Sequence, residues 1–224
     1  MGFEYLGWWS WVTKGLYHLN GNSTDSSGNG YNLTNNWTTP YSAGKFWQAI
    51  DFGTGNNSKY LSNASFPNLC WYNTWLTISF RINFNSTTFA ALETIFSSTD
   101  TSWNGVYFRI VNSTTTHFRF GNGINSDWWT TSITKSWTAW VWYNVVMTHS
   151  ATANNYYINW HLVWTRTTNV TLSWWGNGIN IGRSIGWSSY ANCKIDEFIV
   201  DAAERSAAKV KKAYTYAKWR FGII

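Results

Sequence analysis

AWVWYNVVMTHSATANNYYINW, residues 139–160, contains two aromatic and β-branched runs, AWVWYNVVMT (139–148) and NYYINW (155–160), parted by ATANN (151–155). The runs suit strands, and the small and Asn-rich break suits a turn closed by side chains. The same alternation spreads outward along the chain as WQAIDF (47–52), WLTISFRINF (75–84), GVYFRIV (105–111), THFRFG (116–121), GINIG (178–182) and KIDEFIV (194–200). Breaks such as GTGNNS, FNSTT, NSTTT and GNGINSD separate them. Short strands at regular spacing read as a sandwich or barrel, and no long helical pattern interrupts them, which excludes parallel α/β folds.

The bulk composition agrees. Charged residues make up 12% of the 224 residues and aromatic residues 20%, with 19 Trp. Polar surface must therefore come from Asn, Ser, Thr and Gly, and the aromatic content is unlike disorder. A chain of this length buries one sizeable core, so residues 1–224 are expected to form a single domain. The net charge of +6 is concentrated near the C-terminus, where Arg205, Lys209, Lys211, Lys212, Lys218 and Arg220 face the single acid Glu204. The body is nearly neutral, so a solvated helix face explains the charge better than a nucleic-acid surface. AERSAAKVKKAYTYAKWR (203–220) is the one helix expected, with Ala207, Val210, Tyr214, Ala217 and Phe221 on an apolar stripe that should lie on the sandwich.

Two cysteines, Cys70 and Cys193, are too few for a disulfide scaffold and have no zinc-ligand spacing. The first residues, MGFEYLGWWSWVTKG, carry no basic residue before a short aromatic run. That run fits neither a signal peptide nor a membrane span, so the protein is expected to fold where it is made or to leave by another route.

GLYHLNGNSTDSSGNGYNLT (15–34), GKFWQAIDFGTGNNSKYLS (44–62), WLTISFRINF, WYNVVMTHSATANNYYINW (142–160), INIGRS (179–184) and KIDEFIVDAAERSAAKV (194–210) follow one another in an order that carries a resemblance. The chain resembles the laminin-G-like jelly-roll domains of the concanavalin A-like lectin/glucanase superfamily, of the stand-alone type found in phage genomes. The resemblance implies an all-β fold: two antiparallel sheets face to face, with both chain ends meeting on one side. Two residues depart from the family pattern. Trp160 replaces a glycine after Asn159, which suggests a different turn with an exposed ring, and Cys193 replaces a glycine before the closing lysine. In this fold Cys70 and Cys193 would flank strands of one sheet, so the resemblance leaves a contact between them open.

The superfamily includes glucanases, whose retaining chemistry needs two carboxyl groups about 5–5.5 Å apart. Among the ten acids, Asp196 and Glu197 are adjacent and would point to opposite faces of a strand. Glu197 and Asp201 share a face but lie roughly 13 Å apart at about 3.3 Å per residue. No catalytic pair emerges, and the protein is expected not to be an enzyme. GRSIG (182–186) matches a nucleophile-elbow pattern, but strand rather than helix follows it and every histidine lies upstream, so it reads as a β-turn. His18, His117, His149 and His161 occur singly and read as structural.

The resemblance also brings the Asp-Ser-Ser-Gly-Asn-Gly turn close to the closing Ile-Asp-Glu strand, where many family members hold a structural calcium ion. Asp25, Asn29 and Asp196 are the candidate ligands here, with Asn22 or Asn32 assisting. The alternative is that Asp25 closes an Asx-turn and Asp196 accepts backbone N–H bonds or pairs with a cation. The tryptophan doublets Trp8-Trp9, Trp128-Trp129 and Trp174-Trp175 would each send one ring outward if extended. Trp128, Trp129, Trp160, Trp174 and Trp187, beside expected loops, are the candidate ligand-binding rings. N-x-S/T sequons occur at Asn22, Asn32, Asn36, Asn56, Asn63, Asn85, Asn112 and Asn169, as composition alone would produce.

The functional expectation is a non-enzymatic surface or structural protein of a virus particle, such as a phage decoration, fibre or tail subunit, able to bind glycans or a host surface. Its partners would be other virion or surface proteins, glycans, or further copies of itself, with no membrane span. The alternative is a cellular carbohydrate-binding module or lectin, extracellular or at the cell surface.

Overall fold

A computed structural model describes residues 12–53, 58–67, 69, 75–89, 92–99, 105–121, 132–167, 178–185 and 189–220. Its strands are β1 (Thr13–Tyr17), β2 (Thr34–Asn36), β3 (Tyr41–Ala43), β4 (Gln48–Asp51), β5 (Tyr60–Asn63), β6 (Trp75–Phe84), β7 (Glu93–Thr99) and β8 (Gly105–Asn112), followed by β9 (Thr115–Gly121), β10 (Ser132–Thr134), β11 (Trp142–Ser150), β12 (Asn154–Ile158), β13 (His161–Arg166), β14 (Ile179–Ile181) and β15 (Cys193–Asp201). One helix, α1 (Ala207–Arg220), follows. An eight-stranded sheet runs β13-β12-β11-β6-β15-β4-β3, with β1 added against β15. A seven-stranded sheet runs β10-β9-β8-β7-β14-β5-β2. All of these pairings are antiparallel.

AWVWYNVVMT and NYYINW form the β11–β12 hairpin, with Val146 opposite Tyr157 and His149 opposite Asn154. Alternation explains the core. Along β6, Leu76, Ile78, Phe80, Ile82 and Phe84 are all buried in one cluster, while Thr77, Ser79 and Arg81 take the other face. Phe80 reaches across to Phe96 (5.8 Å) and Phe108 (5.4 Å) of the facing sheet, and Phe198 meets both Phe80 (5.8 Å) and Phe96 (5.5 Å). These aromatic contacts hold the two sheets face to face. The first and last strands meet: β1 pairs with β15, Leu16 opposite Ile199 and Tyr17 opposite Phe198.

Several elements differ from the sequence reading. β7 and β13 were not expected as strands, although TIFSST and HLVWTR have the required composition. β13 is an edge strand with Leu162 and Val163 exposed, so its apolar run is not a core signal. The helix begins at Ala207 rather than 203. Residues before it are tied down in a bend: Ala202 N–H donates to the Val12 carbonyl, the Thr77 hydroxyl to the Ala203 carbonyl, and Arg205 N–H to the Thr77 hydroxyl. Ser206 then caps the helix, its hydroxyl accepting from Lys209 N–H. Of the expected stripe, Val210 is buried and Tyr214 half-buried, but Ala207 is exposed, and the side chains at 217 and 221 lie outside the described residues.

Candidate functional site

Asp25 organises the opening turn. Its Oδ1 accepts from the N–H groups of Leu16 (3.1 Å) and Ser27 (2.9 Å), and its Oδ2 from the Ser27 hydroxyl (2.9 Å) and Tyr31 N–H (3.0 Å). Asn32 Oδ1 accepts from Asp25 N–H. Asn29 turns its amide nitrogen to the Thr13 carbonyl (2.9 Å), and Asn22 closes its own turn by accepting from Thr24 N–H. The polar stretch between β1 and β2 is thus a hydrogen-bonded Asx knot that fastens the turn to β1.

Asp196 lies on β15 opposite Arg81 of β6. The register shifts after Asp196 and Glu197 adopts φ 53°, a β-bulge. Ile195 and Phe198, three apart, both enter the core, so Asp196 and Glu197 follow one another on the outer side of the sheet, not on opposite faces as expected. The β3–β4 hairpin folds over Asp196: Oδ2 accepts from the N–H groups of Lys45 (2.9 Å) and Phe46 (3.1 Å), while the buried Oδ1 has no hydrogen-bond partner. Arg81 packs its guanidinium on the Phe46 ring at 4.5 Å. Burial, and then the Glu197 charge, push the Asp196 carboxyl up to about 7 against the lowering pull of the two N–H donors and Arg81. Glu197 meets His18 Nδ1 at 2.8 Å, and that hydrogen bond raises the His18 pKa.

These placements test the calcium expectation. Asp25, Asn29 and Asp196 do not fit a shared ion: both Asp25 oxygens are filled by N–H and O–H donors, Asn29 offers its nitrogen to carbonyls, and Asp196 draws on a separate set of partners. Calcium requires six to eight oxygens directed at one point. Among the described residues no group of three or more His, Cys, Asp or Glu could hold a metal.

Of the candidate tryptophans, Trp128, Trp129, Trp174 and Trp187 lie outside the described residues, as do the doublets. Trp160 does not present a free ring. Asn159 and Trp160 both take positive φ (50° and 67°), forming the turn that a family glycine would make without strain. The Trp160 ring packs on the cluster of Val146, Tyr157 and Val210, with Lys211 Nζ 4.6 Å above it, and so fastens α1 to the sheet. Among the described residues the outward rings are others, above all Trp37 (73% exposed), Trp47 (82%) and Trp140 (67%), with Trp75 half exposed. Trp37 and Trp140 are held at φ 60° and 64°, a strained backbone for bulky residues. Trp37 lies among turn residues in the sequence, whereas Trp47 and Trp140 stand at the start of strand-like runs, so no local signal marked them as outward.

Asp196 is fully buried, and Glu197 is engaged by His18. Ser184 of the GRSIG segment is buried, its hydroxyl donating to the Ile185 carbonyl. His117 takes a hydrogen bond from Arg109, and His149 lies against Phe120 and Asn154. Cys193 is a buried free thiol, its pKa raised by burial; Cys70 lies outside the described residues. Asn85, one of the sequon asparagines, is buried and donates its amide to Asp51 and the Gly53 carbonyl, which leaves it inaccessible to glycosylation. No helix among the described residues is long and apolar enough to cross a membrane.

Known proteins of similar structure share this architecture. The binding domain of Paraclostridial Mosquitocidal Protein 1 superposes with a TM-score of 0.72 at 15% identity, over 92% of this chain and 52% of that one. The binding domain of botulinum neurotoxin DC, in complex with rat synaptotagmin II, gives 0.70 at 17% identity over 93% and 52%; the same domain in complex with SialylT gives identical values. The chain therefore spans about half the length of these structures, and at such identities the likeness is one of fold. Among curated protein sequences no relative matches. A family model does match, over residues 53–211, from just past β4 through β6, the β11–β12 hairpin and the closing strand into α1. On that match the chain belongs to the laminin-G-like (Laminin_G_3) family of the concanavalin A-like lectin/glucanase superfamily.

Proposed function

We propose that this protein is a non-enzymatic surface subunit of a virus particle, of the phage decoration, fibre or tail type, that binds glycans or a host surface. The observation that carries the binding half is the outward display of Trp37, Trp47 and Trp140, two of them on strained left-handed backbone. A tryptophan ring offers large stacking area at small entropy cost, and strain in an exposed bulky residue is retained where it serves contact. Membership of a lectin-like superfamily supports a sugar as the contact. The low-charge, aromatic-rich composition supports assembly on a larger body, since large apolar surfaces are uncommon on free monomers.

Two measurements test it. On a glycan array, the protein binds a defined glycan set, and the triple variant Trp37→Ala, Trp47→Ala, Trp140→Ala loses that binding; a blank array, or binding indifferent to the three rings, defeats the binding half. Mass spectrometry of purified particles from cells carrying the gene finds the chain in the particle fraction. A glycan-binding chain found only with cells, and never with particles, establishes the cellular lectin alternative instead.

A further inference from the structure

Trp47 lies in the turn of the β3–β4 hairpin, and its mounting differs from that of Trp37 and Trp140. Those two rings are carried on left-handed backbone, whereas Trp47 takes no positive φ and depends on what grips the chain around it. On its N-terminal side, Lys45 and Phe46 give their N–H groups to one atom, Asp196 Oδ2 (2.9 and 3.1 Å). On its C-terminal side, Gln48 N–H donates to Asn20 Oδ1 (3.0 Å). Gly44 N–H closes the turn on the Trp47 carbonyl (3.1 Å), and a Cβ on Gly44 would lie 2.4 Å from the Gln48 backbone, so glycine permits the closure.

The grip leads back to the core. Asp196 lies 151 and 150 residues from its two donors, on β15, which runs between β6 and β4 inside the eight-stranded sheet. Its carboxyl is fully buried, so the hairpin is fastened to a point that does not move with the surface. Hydrogen bonds to a carboxylate are roughly twice as strong as those between neutral groups. The Phe46 ring packs on the Arg81 guanidinium of β6 at 4.5 Å, while the next ring along the chain, Trp47, turns to solvent at 82% exposure.

We infer that Asp196 is a positioning residue for ligand binding: by holding the Lys45 and Phe46 N–H groups it fixes the β3–β4 hairpin so that the Trp47 ring is ready to stack on the face of a sugar ring. A ring on a loose hairpin has to be ordered when the ligand arrives, and that ordering subtracts from affinity; a ring fixed beforehand avoids the loss. The flat apolar face of an indole suits the C–H face of a pyranose. Asp196 does not touch the sugar and acts through the backbone on either side of the ring, so its whole effect on binding passes through Trp47. This inference rests on the glycan-binding proposal above and adds which outward ring is mounted on the core and what holds it there.

The closing experiment is a double-mutant cycle on an array of galactose-, glucose-, mannose- and N-acetylglucosamine-terminated oligosaccharides, read as the half-saturating protein concentration. Trp47→Ala weakens binding about tenfold or more. Asp196→Ala, with the ring still present, weakens it about threefold to tenfold, the scale of ordering a side chain on binding. The double variant binds no more weakly than Trp47→Ala alone, because the two changes remove one interaction. Asp196→Asn, which keeps a carbonyl oxygen for the two donors, restores binding. Asn20→Ala, which releases only Gln48 N–H, gives a smaller loss that likewise vanishes in the Trp47→Ala background and serves where Asp196→Ala does not fold. Losses that add to that of Trp47→Ala, or wild-type binding in both Asp196→Ala and Asn20→Ala, overturn the assignment. Binding indifferent to Trp47→Ala but lost in the triple tryptophan variant overturns it while leaving the glycan-binding proposal standing; a blank array defeats both.

Discussion

Replacing Asp196 with asparagine removes one buried ionisable group while keeping its shape. The Asp196 carboxyl sits at about 7 in the folded protein against an ordinary value of 3.8. A carboxyl raised in this way holds its proton more tightly when folded, so acid favours the folded state. The contribution is complete below about 3.8 and is lost as pH rises through about 7. At ~1.4 kcal/mol per pH unit, a gap of about three units corresponds to ~4 kcal/mol. Asp196→Asn retains a carbonyl oxygen for the Lys45 and Phe46 N–H groups and has no charge to desolvate. The variant should therefore exceed the wild type by up to ~4 kcal/mol at pH 8, and the difference should shrink toward zero at pH 4. Two histidines shape the absolute profile. His18, raised by Glu197, adds stability at low pH that is lost as pH rises through its folded pKa. His117, lowered from 6.5 to about 4, adds stability above 6.5 that is lost as pH falls toward 4. His117 acts in wild type and variant alike and cancels in the difference, whereas His18 loses in the variant the part of its rise that the Asp196 charge supplies, a smaller effect than that of its Glu197 hydrogen bond. Urea titrations of the two proteins from pH 4 to 8 provide that difference; a gap independent of pH, or a variant less stable than wild type at pH 8, refutes the account of Asp196.

The opening turn and the Trp160 anchor make two further predictions. Because both Asp25 oxygens already receive N–H and O–H donors, a calcium chelator should leave Tm unchanged, whereas Asp25→Ala, which strands buried donors, should cost about 2–4 kcal/mol in chemical denaturation; a chelator-induced fall in Tm would reject this reading. Trp160→Gly relieves the left-handed backbone but removes the ring that Val210 and Lys211 pack against, so trypsin should cut within α1 much faster than in the wild type, and equal cutting rates would show that the ring does not hold the helix.

Much of the architecture was legible because strand chemistry is local. Alternation in WLTISFRINF predicts which residues of β6 enter the core, and the two runs of 139–160 became the β11–β12 hairpin. The same logic misjudged HLVWTR, since an apolar run looks alike at a sheet edge and in a core, and only pairing order distinguishes them. It placed Asp196 and Glu197 on opposite faces because period-2 alternation assumes an unbroken ladder, and the bulge at Glu197 breaks it. The candidate rings were chosen for their nearness to loops, a property that does not distinguish Trp160, turned against a helix, from Trp47, turned to solvent.

What the sequence by itself determined is the class of fold: β-structure from strand and turn chemistry, one C-terminal helix, and an Asn- and Gly-rich opening turn around Asp25. These follow from forces acting over a few residues. What only the tertiary structure decided is where the polar groups meet: Asp196 under the Lys45–Phe46 hairpin, Glu197 on His18, and Arg183 between Tyr60 and Tyr190. Those partners lie up to 179 residues apart, and they are brought together by the register of a buried sheet, which depends on how the whole core packs.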